Sequence, residues 1–123
     1  MKPTDSELEI LRVLWDNGPS TVRVVNEKIG TAREVGYTTT LKIMQIMHDK
    51  GLLSREKDGK THIYTTTVSE EDTQGELSQN LLDTAFGGSA KRLVMSVLGN
   101  GNSNAKELKE IREYLDKLDK NSK

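Results

Sequence analysis

The chain contains no cysteine. Disulfides, thiolate metal sites and cysteine nucleophiles are therefore excluded. It has only two histidines, His48 and His62, and neither has a carboxylate cluster beside it that would complete a metal site. No apolar run approaches the length of a membrane span, and the opening MKPTDSELEI lacks the apolar stretch of a signal peptide. A soluble cytoplasmic protein without direct membrane insertion is expected. An excess of charge is missing too: the net charge is −1, which argues against bulk electrostatic binding to nucleic acid. Residues 1–68 hold 10 Lys+Arg and 9 Asp+Glu, and residues 69–123 hold 8 and 10. Any nucleic-acid site must therefore be local. Internal repeats, low-complexity segments, a nucleophile–base arrangement and a phosphate loop are all absent. The acidic run Glu70-Glu71-Asp72 sits at a helix start, where the macrodipole favours negative charge. An enzyme is not expected, and no cofactor or metal is implied.

What is present is one small domain with an appendage, in 123 residues. Hydrophobic residues make up 33% and charged residues 30%. That is polar for a self-sufficient globule, so another chain is expected to complete part of the surface. Thr4-Asp5-Ser6-Glu7 fits a capping box. Leu8, Leu11 and Trp15 then share a helical face, with Ile10 and Leu14 beside them, until Asp16-Asn17-Gly18-Pro19 stops the helix. Ser20 or Thr21 can cap a short second helix bearing Val22, Val25 and Ile29, ended by Gly30. The linker TAREVG leads to GYTTTLKIMQIMHDKG. Thr38 can cap this third helix, with Leu41, Met44, Met47 and His48 on one face, Ile43 alongside, and Thr39, Lys42, Gln45 and Asp49 on another. Next, LLSREKDGKTHIYTTT has two β-prone runs flanking Asp58-Gly59, a strong hairpin signal.

Residues 69–123 differ. An acidic amphipathic helix carries Leu77, Leu81, Leu82 and Phe86. A short apolar helix with Leu93 and Val97 follows Gly87-Gly88. A final helix spaces Leu108, Ile111, Leu115 and Leu118 by three and four. These pieces make too small a core to stand alone, and the simplest partner for their stripes is a second copy of the chain. The fold expected is mainly α with a β-hairpin wing: a winged helix-turn-helix DNA-binding domain over residues 1–68 and a helical dimerisation domain over 69–123.

Three helices and a hairpin give a reason for three threonines at the start of a helix, where branched side chains lose rotamer freedom. In that layout the third helix enters the DNA major groove by its N-terminal end. Small hydroxyl side chains approach the duplex closely, donate to phosphate and offer a methyl to thymine. Lys42 can reach guanine or phosphate, and Gln45 can pair with adenine. Thr38, Thr39, Lys42 and Gln45 are the candidate base-reading residues, and Thr40 is expected to turn toward the core. Arg55, Lys57 and Lys60 surround the hairpin turn where a wing touches phosphates. Ser20, Thr21 and Arg23 begin the second helix, where such folds contact the DNA backbone. His48 reads as a packed core-edge residue and His62 as an exposed wing residue.

The segments TDSELEILRVLWDNGPSTVRVV, GYTTTLKIMQIMHDKGLLSREKDGKTHIY and ELKEIREYLDKL together resemble the penicillinase-repressor family of bacterial transcription regulators (BlaI/MecI/CopY type), over essentially the whole chain. The resemblance implies a homodimeric repressor on a palindromic double-stranded operator, controlling a beta-lactam resistance or related stress operon. It places Thr38, Thr39, Lys42 and Gln45 on the recognition helix and Arg55 to Lys60 on the wing. It implies a dimer interface through Leu77, Leu81, Phe86, Leu93, Val97, Leu108, Ile111, Leu115 and Leu118. Resistance-linked members are inactivated when a membrane sensor-protease pathway cuts an Asn-Phe bond. Here the corresponding residues are Ser96 and Val97, a departure from that pattern. Copper-responsive members carry C-terminal cysteine motifs, and this chain has none.

The alternative is a winged-helix protein-interaction module without specific DNA binding. The near-neutral charge suits it. The Thr38/Thr39/Lys42/Gln45 face does not, because it lacks the aromatic or large apolar anchors of an interaction surface.

Overall fold

The structure is a computed structural model that describes residues 2–31 and 34–121. Ala32 and Arg33 of the expected linker lie outside the described residues. The element order is α1 (Asp5–Asn17), α2 (Val22–Ile29), α3 (Tyr37–Asp49), β1 (Leu53–Asp58), β2 (Thr61–Thr66), α4 (Glu70–Ala85), α5 (Ala90–Gly99) and α6 (Ala105–Asn121). The fold is mainly helical with one antiparallel hairpin, as expected.

The capping box forms at α1. The Thr4 hydroxyl accepts the Glu7 N–H at 3.2 Å, and the Glu7 carboxylate accepts the Thr4 N–H at 2.9 Å. The deepest apolar α1 residues are Ile10, Leu11 and Leu14. Leu8 and Trp15, expected at the centre of that face, instead pack at its edge. The reason is visible at Trp15. Its indole N–H donates to the Val68 carbonyl at 3.1 Å, and the Arg12 guanidinium lies over its ring. Those polar partners hold the ring at the rim. Val22, Val25 and Ile29 of α2, Met44 and Met47 of α3, and Leu52, Leu53 and Tyr64 complete the core.

Thr21 caps α2, its hydroxyl accepting the Val24 N–H at 3.2 Å. Thr38 does not cap α3, contrary to expectation. The cap is Gly36, in extended backbone and with no side-chain bond, and the helix begins at Tyr37. Thr38 is thus already inside the first turn, where its own backbone is helical. Thr40 is 1% exposed. Its hydroxyl accepts from the Asn26 side-chain amide at 2.9 Å, and the same amide donates to the Val35 carbonyl at 2.8 Å. At the far end of α3, Gly51 takes a φ of +84°. The Gly51 N–H bonds His48 and the Leu52 N–H bonds Met47, the double closure that a left-handed residue permits.

The hairpin pairs Leu53 with Thr66 through to Asp58 with Thr61. Its tip is therefore Gly59-Lys60, one residue later than an Asp58-Gly59 turn. Only Gly59 has positive φ, at 63°, the pattern of a turn with glycine at its first central position. Ser20 adds a one-residue antiparallel bridge to β2: its N–H and carbonyl both bond the Tyr64 backbone, at 3.1 and 2.8 Å.

Two compact units result, Met1–Leu77 and Ser78–Lys123. They part inside α4 rather than ahead of it. Ser69 caps α4, Arg12 bonds Glu70, and Thr73 is buried, so the first two turns stay with the N-terminal unit. In the second unit, α5 and α6 contain no buried residue. Leu81, Val97, Leu115 and Leu118 are exposed, while Phe86, Leu93, Leu108 and Ile111 are half-buried.

Glu7 does a second job. Its other carboxylate oxygen accepts from the Lys50 ammonium at 2.7 Å, joining the start of α1 to the end of α3. Glu7 itself is 3% exposed. Burial alone would push its carboxyl up. The hydrogen bonds from Lys50 and Thr4 together outweigh burial and hold it below the ordinary glutamate range. A depressed folded pKa stabilises the fold above the unfolded value, about 4.3, and that stability is lost as pH falls through the lower folded value. Glu7→Gln is expected to cost about 1–2 kcal/mol at pH 7. In urea melts, the gap from the parent protein should close as pH falls below about 4.3 and through the depressed folded value. A gap independent of pH would show that the charge on Glu7 is not what stabilises it.

Candidate nucleic-acid interface

The rotation of α3 about its axis is set by which residues it buries. Thr40, Met44 and Met47 point inward. At 100° per residue the opposite side carries Thr38, Lys42, Gln45 and Asp49, with Thr39 and Ile46 along one edge. All six are exposed. The face holds one cation and, before Asp49, no acid.

Beside it a cleft of about 460 Å³ opens between the start of α2, the side of α3 and the hairpin. Thr21, Arg23, Tyr37, Gln45, Arg55, Lys60 and His62 line it, and no carboxylate does. The hairpin register explains the wing's contribution. Arg55 pairs with Tyr64 and Lys57 with His62, so these four side chains share one face of the ribbon. The Arg55 guanidinium donates to the Tyr64 hydroxyl at 3.4 Å, and the His62 ring meets Tyr64 edge-on at 6.3 Å between centroids. The buried Tyr64 thus positions both groups at the cleft. A cleft with two arginines, a lysine and no acid is complementary to an anion, and a helix N-terminus at its edge adds partial positive charge.

The cleft therefore unites Thr21, Arg23, Gln45, Arg55 and Lys60 of the expected site residues. Thr38, Thr39 and Lys42 lie outside it on the open face of α3, and Lys57 is exposed near the hairpin tip. Ser20 is a correction. It is 4% exposed, its hydroxyl donates to the Gly18 carbonyl and accepts from the Asn17 amide, both at 2.9 Å, and its backbone is tied to Tyr64. It fastens the wing and has no surface to offer a phosphate. Tyr37, Ile46 and His62 are functional candidates that sequence reasoning missed. Tyr37 becomes visible once the helix is started at Gly36, and His62 once the hairpin register is known. Ser96 and Val97 lie in α5, both exposed. Among the described residues, no group of three or more His, Asp or Glu side chains could hold a metal ion, and no helix is long and apolar enough to cross a membrane.

The sequence model described as "Penicillinase repressor" matches residues 3–117. The chain belongs to the penicillinase repressor family. Its relatives include the penicillinase repressor of Staphylococcus aureus, 23% identical over 94% of this chain and 91% of that protein. The penicillinase repressor of Bacillus licheniformis is 26% identical over 92% and 88%. The methicillin resistance regulatory protein MecI of Mammaliicoccus sciuri is 24% identical over 93% of each. Among solved structures, a MarR family protein from Bacillus stearothermophilus superposes with a TM-score of 0.54 at 18% identity, covering 99% of this chain and 76% of that one. The PcaV transcriptional regulator of Streptomyces coelicolor gives 0.50 at 15%, covering 99% and 78%. These neighbours share the winged-helix fold. The family is one of DNA-binding transcriptional repressors, not enzymes, and its function and the geometry of α3 and the wing agree.

If the cleft seats DNA backbone, Arg23→Ala, Arg55→Ala and Lys60→Ala should each weaken binding alike on all sequences. Each should also reduce the slope of log affinity against log salt by about 0.9. Ser20→Ala should leave that slope unchanged and lower the melting temperature instead. An unchanged slope for all three basic variants would remove the cleft from the interface.

Proposed function

We propose that this repressor works as a homodimer on a palindromic operator, with Thr38, Thr39, Lys42 and Gln45 at the base edges and the basic cleft on the phosphates. The observation that carries this reading is the cleft itself: Arg23, Arg55 and Lys60 converge without a carboxylate, directly beside the polar open face of α3. Thr21 contributes at the α2 N-terminus. Lys57, outward on the same ribbon face as Arg55, reaches the next phosphate along the wing.

The second unit supports the dimer reading. A helix with an apolar stripe needs a surface to bury it, and α5 and α6 bury nothing fully within the chain. Leu77, Leu81, Phe86, Leu93, Val97, Leu108, Ile111, Leu115 and Leu118 form the interface with a second copy. Two heads on one dimer match two half-sites about one helical turn, or a multiple, apart. A chain with a net charge of −1 gains little from long-range attraction, so pairing two heads is what makes binding tight. Repression is occlusion of the promoter by the bound dimer.

The relatives named penicillinase repressor and methicillin resistance regulatory protein support control of a beta-lactam resistance or related stress operon. Release through a sensor protease would fall at Ser96-Val97. Cutting there detaches α6 with Leu108 to Leu118, which removes much of the dimer stripe. The protein works in the cytoplasm, where its operator is.

The test is fluorescence anisotropy on the DNA upstream of its own gene, against scrambled competitor at two salt concentrations. Competitor-resistant binding at two chains per duplex is expected. Lys42→Ala and Gln45→Ala should each cost roughly 1–3 kcal/mol, and unequally among operator variants. Loss that is uniform across sequences would refute base reading by that residue. Separately, the Leu115→Asp/Leu118→Asp double variant should sediment as a monomer and lose operator binding while the N-terminal unit stays folded. An intact dimer would refute the assigned interface.

A further inference from the structure

The open face of α3 is polar with one exception. Ile46 is 41% exposed. Leu41 and Ile43 of the same helix pack against the core, and Ile46 does not. It lies one turn beyond Lys42 and two turns beyond Thr39, so the three share the groove-facing side. Branched side chains are mediocre in helices, so helix propensity gives no reason for an isoleucine here. A single exposed apolar residue is ordinary on a protein surface. This one stands on the edge of the strip that carries Lys42 and Gln45, and the cleft formed by Arg23, Arg55 and Lys60 borders that strip on its other side, at Gln45.

The occupant of that strip decides what Ile46 can do. A duplex held by the basic cleft presents base edges to the face. Among those edges the major groove offers one apolar group, the 5-methyl of thymine. Lys42 and Gln45 can satisfy polar edges. Ile46 has neither donor nor acceptor, so a polar edge against it would lose its water and gain nothing. We infer that Ile46 is a specificity-determining residue that selects a thymine in each half-site by burying its 5-methyl group. The inference rests on the operator-reading proposal and adds a base preference to it.

The test uses the full-length dimer and a duplex enriched from random-sequence DNA. Each thymine is replaced in turn by deoxyuridine, which removes the methyl and keeps every hydrogen-bonding group. One thymine per half-site should lose about fourfold in affinity, the effect of one buried methyl. In Ile46→Ala that loss should disappear, while sensitivity at other thymines persists. Because Ile46 is outside the core, the variant should melt close to the parent. The scan of the parent protein needs no variant, and finding no sensitive thymine would overturn the inference. Sensitivity that survives Ile46→Ala would overturn it too, assigning the methyl to another side chain such as Thr39. Failure to enrich any sequence would instead remove the operator-reading proposal, and this inference with it.

Discussion

The side-chain amide of Asn26 sets the direction in which this protein reads. It donates to the Val35 carbonyl and to the Thr40 hydroxyl, bridging α2 to the start of α3 across the turn. Each such bond contributes on the order of 1 kcal/mol, and losing the donor would strand buried acceptors at about 1–3 kcal/mol each. The greater consequence is rotational. With Thr40 held inward, Thr38, Lys42 and Gln45 must face out, because they lie across the helix from it. A helix fixed only by Met44 and Met47, both flexible side chains, would have no such sharp reference for its rotation. The run of three threonines thus divides its labour: two residues face solvent and one locks the helix to its neighbour.

The other constraints work around that lock. Glu7 and Lys50 tie the far end of α3 to α1. The closure at Gly51 turns the chain directly into β1. Ser20 holds the returning strand by two backbone bonds to Tyr64, and Tyr64 in turn carries Arg55 and His62 at the cleft. The basic groups therefore come from three separate elements and meet beside one helix face. A chain of nearly zero net charge has in this way a local surface suited to an anion, which bulk composition conceals.

Much of this was legible in the sequence because it is local. The capping box, the stop at Gly18-Pro19, the hairpin and the spaced leucines of α6 all rest on neighbours within a few residues. The inward turn of Thr40 was legible as well, from the apolar period of α3. What was not legible depends on distant partners. Ser20 looked like a surface hydroxyl because nothing nearby announces its bridge to Tyr64. Thr38 looked like a cap because threonine is a good one, whereas Gly36 caps here by backbone conformation alone. Trp15 looked central because periodicity cannot see the Val68 carbonyl that draws it to the rim. Ile46 escaped notice because an isoleucine in an apolar-periodic helix reads as core until exposure is measured.

The most direct test of the account is the pattern of backbone amide shifts when labelled protein is titrated with an enriched palindromic duplex. The largest changes are expected in the first two turns of α3, at the start of α2 and around the hairpin tip, with α5 and α6 little affected. Changes concentrated in α4 to α6, with α3 and the wing silent, would contradict it.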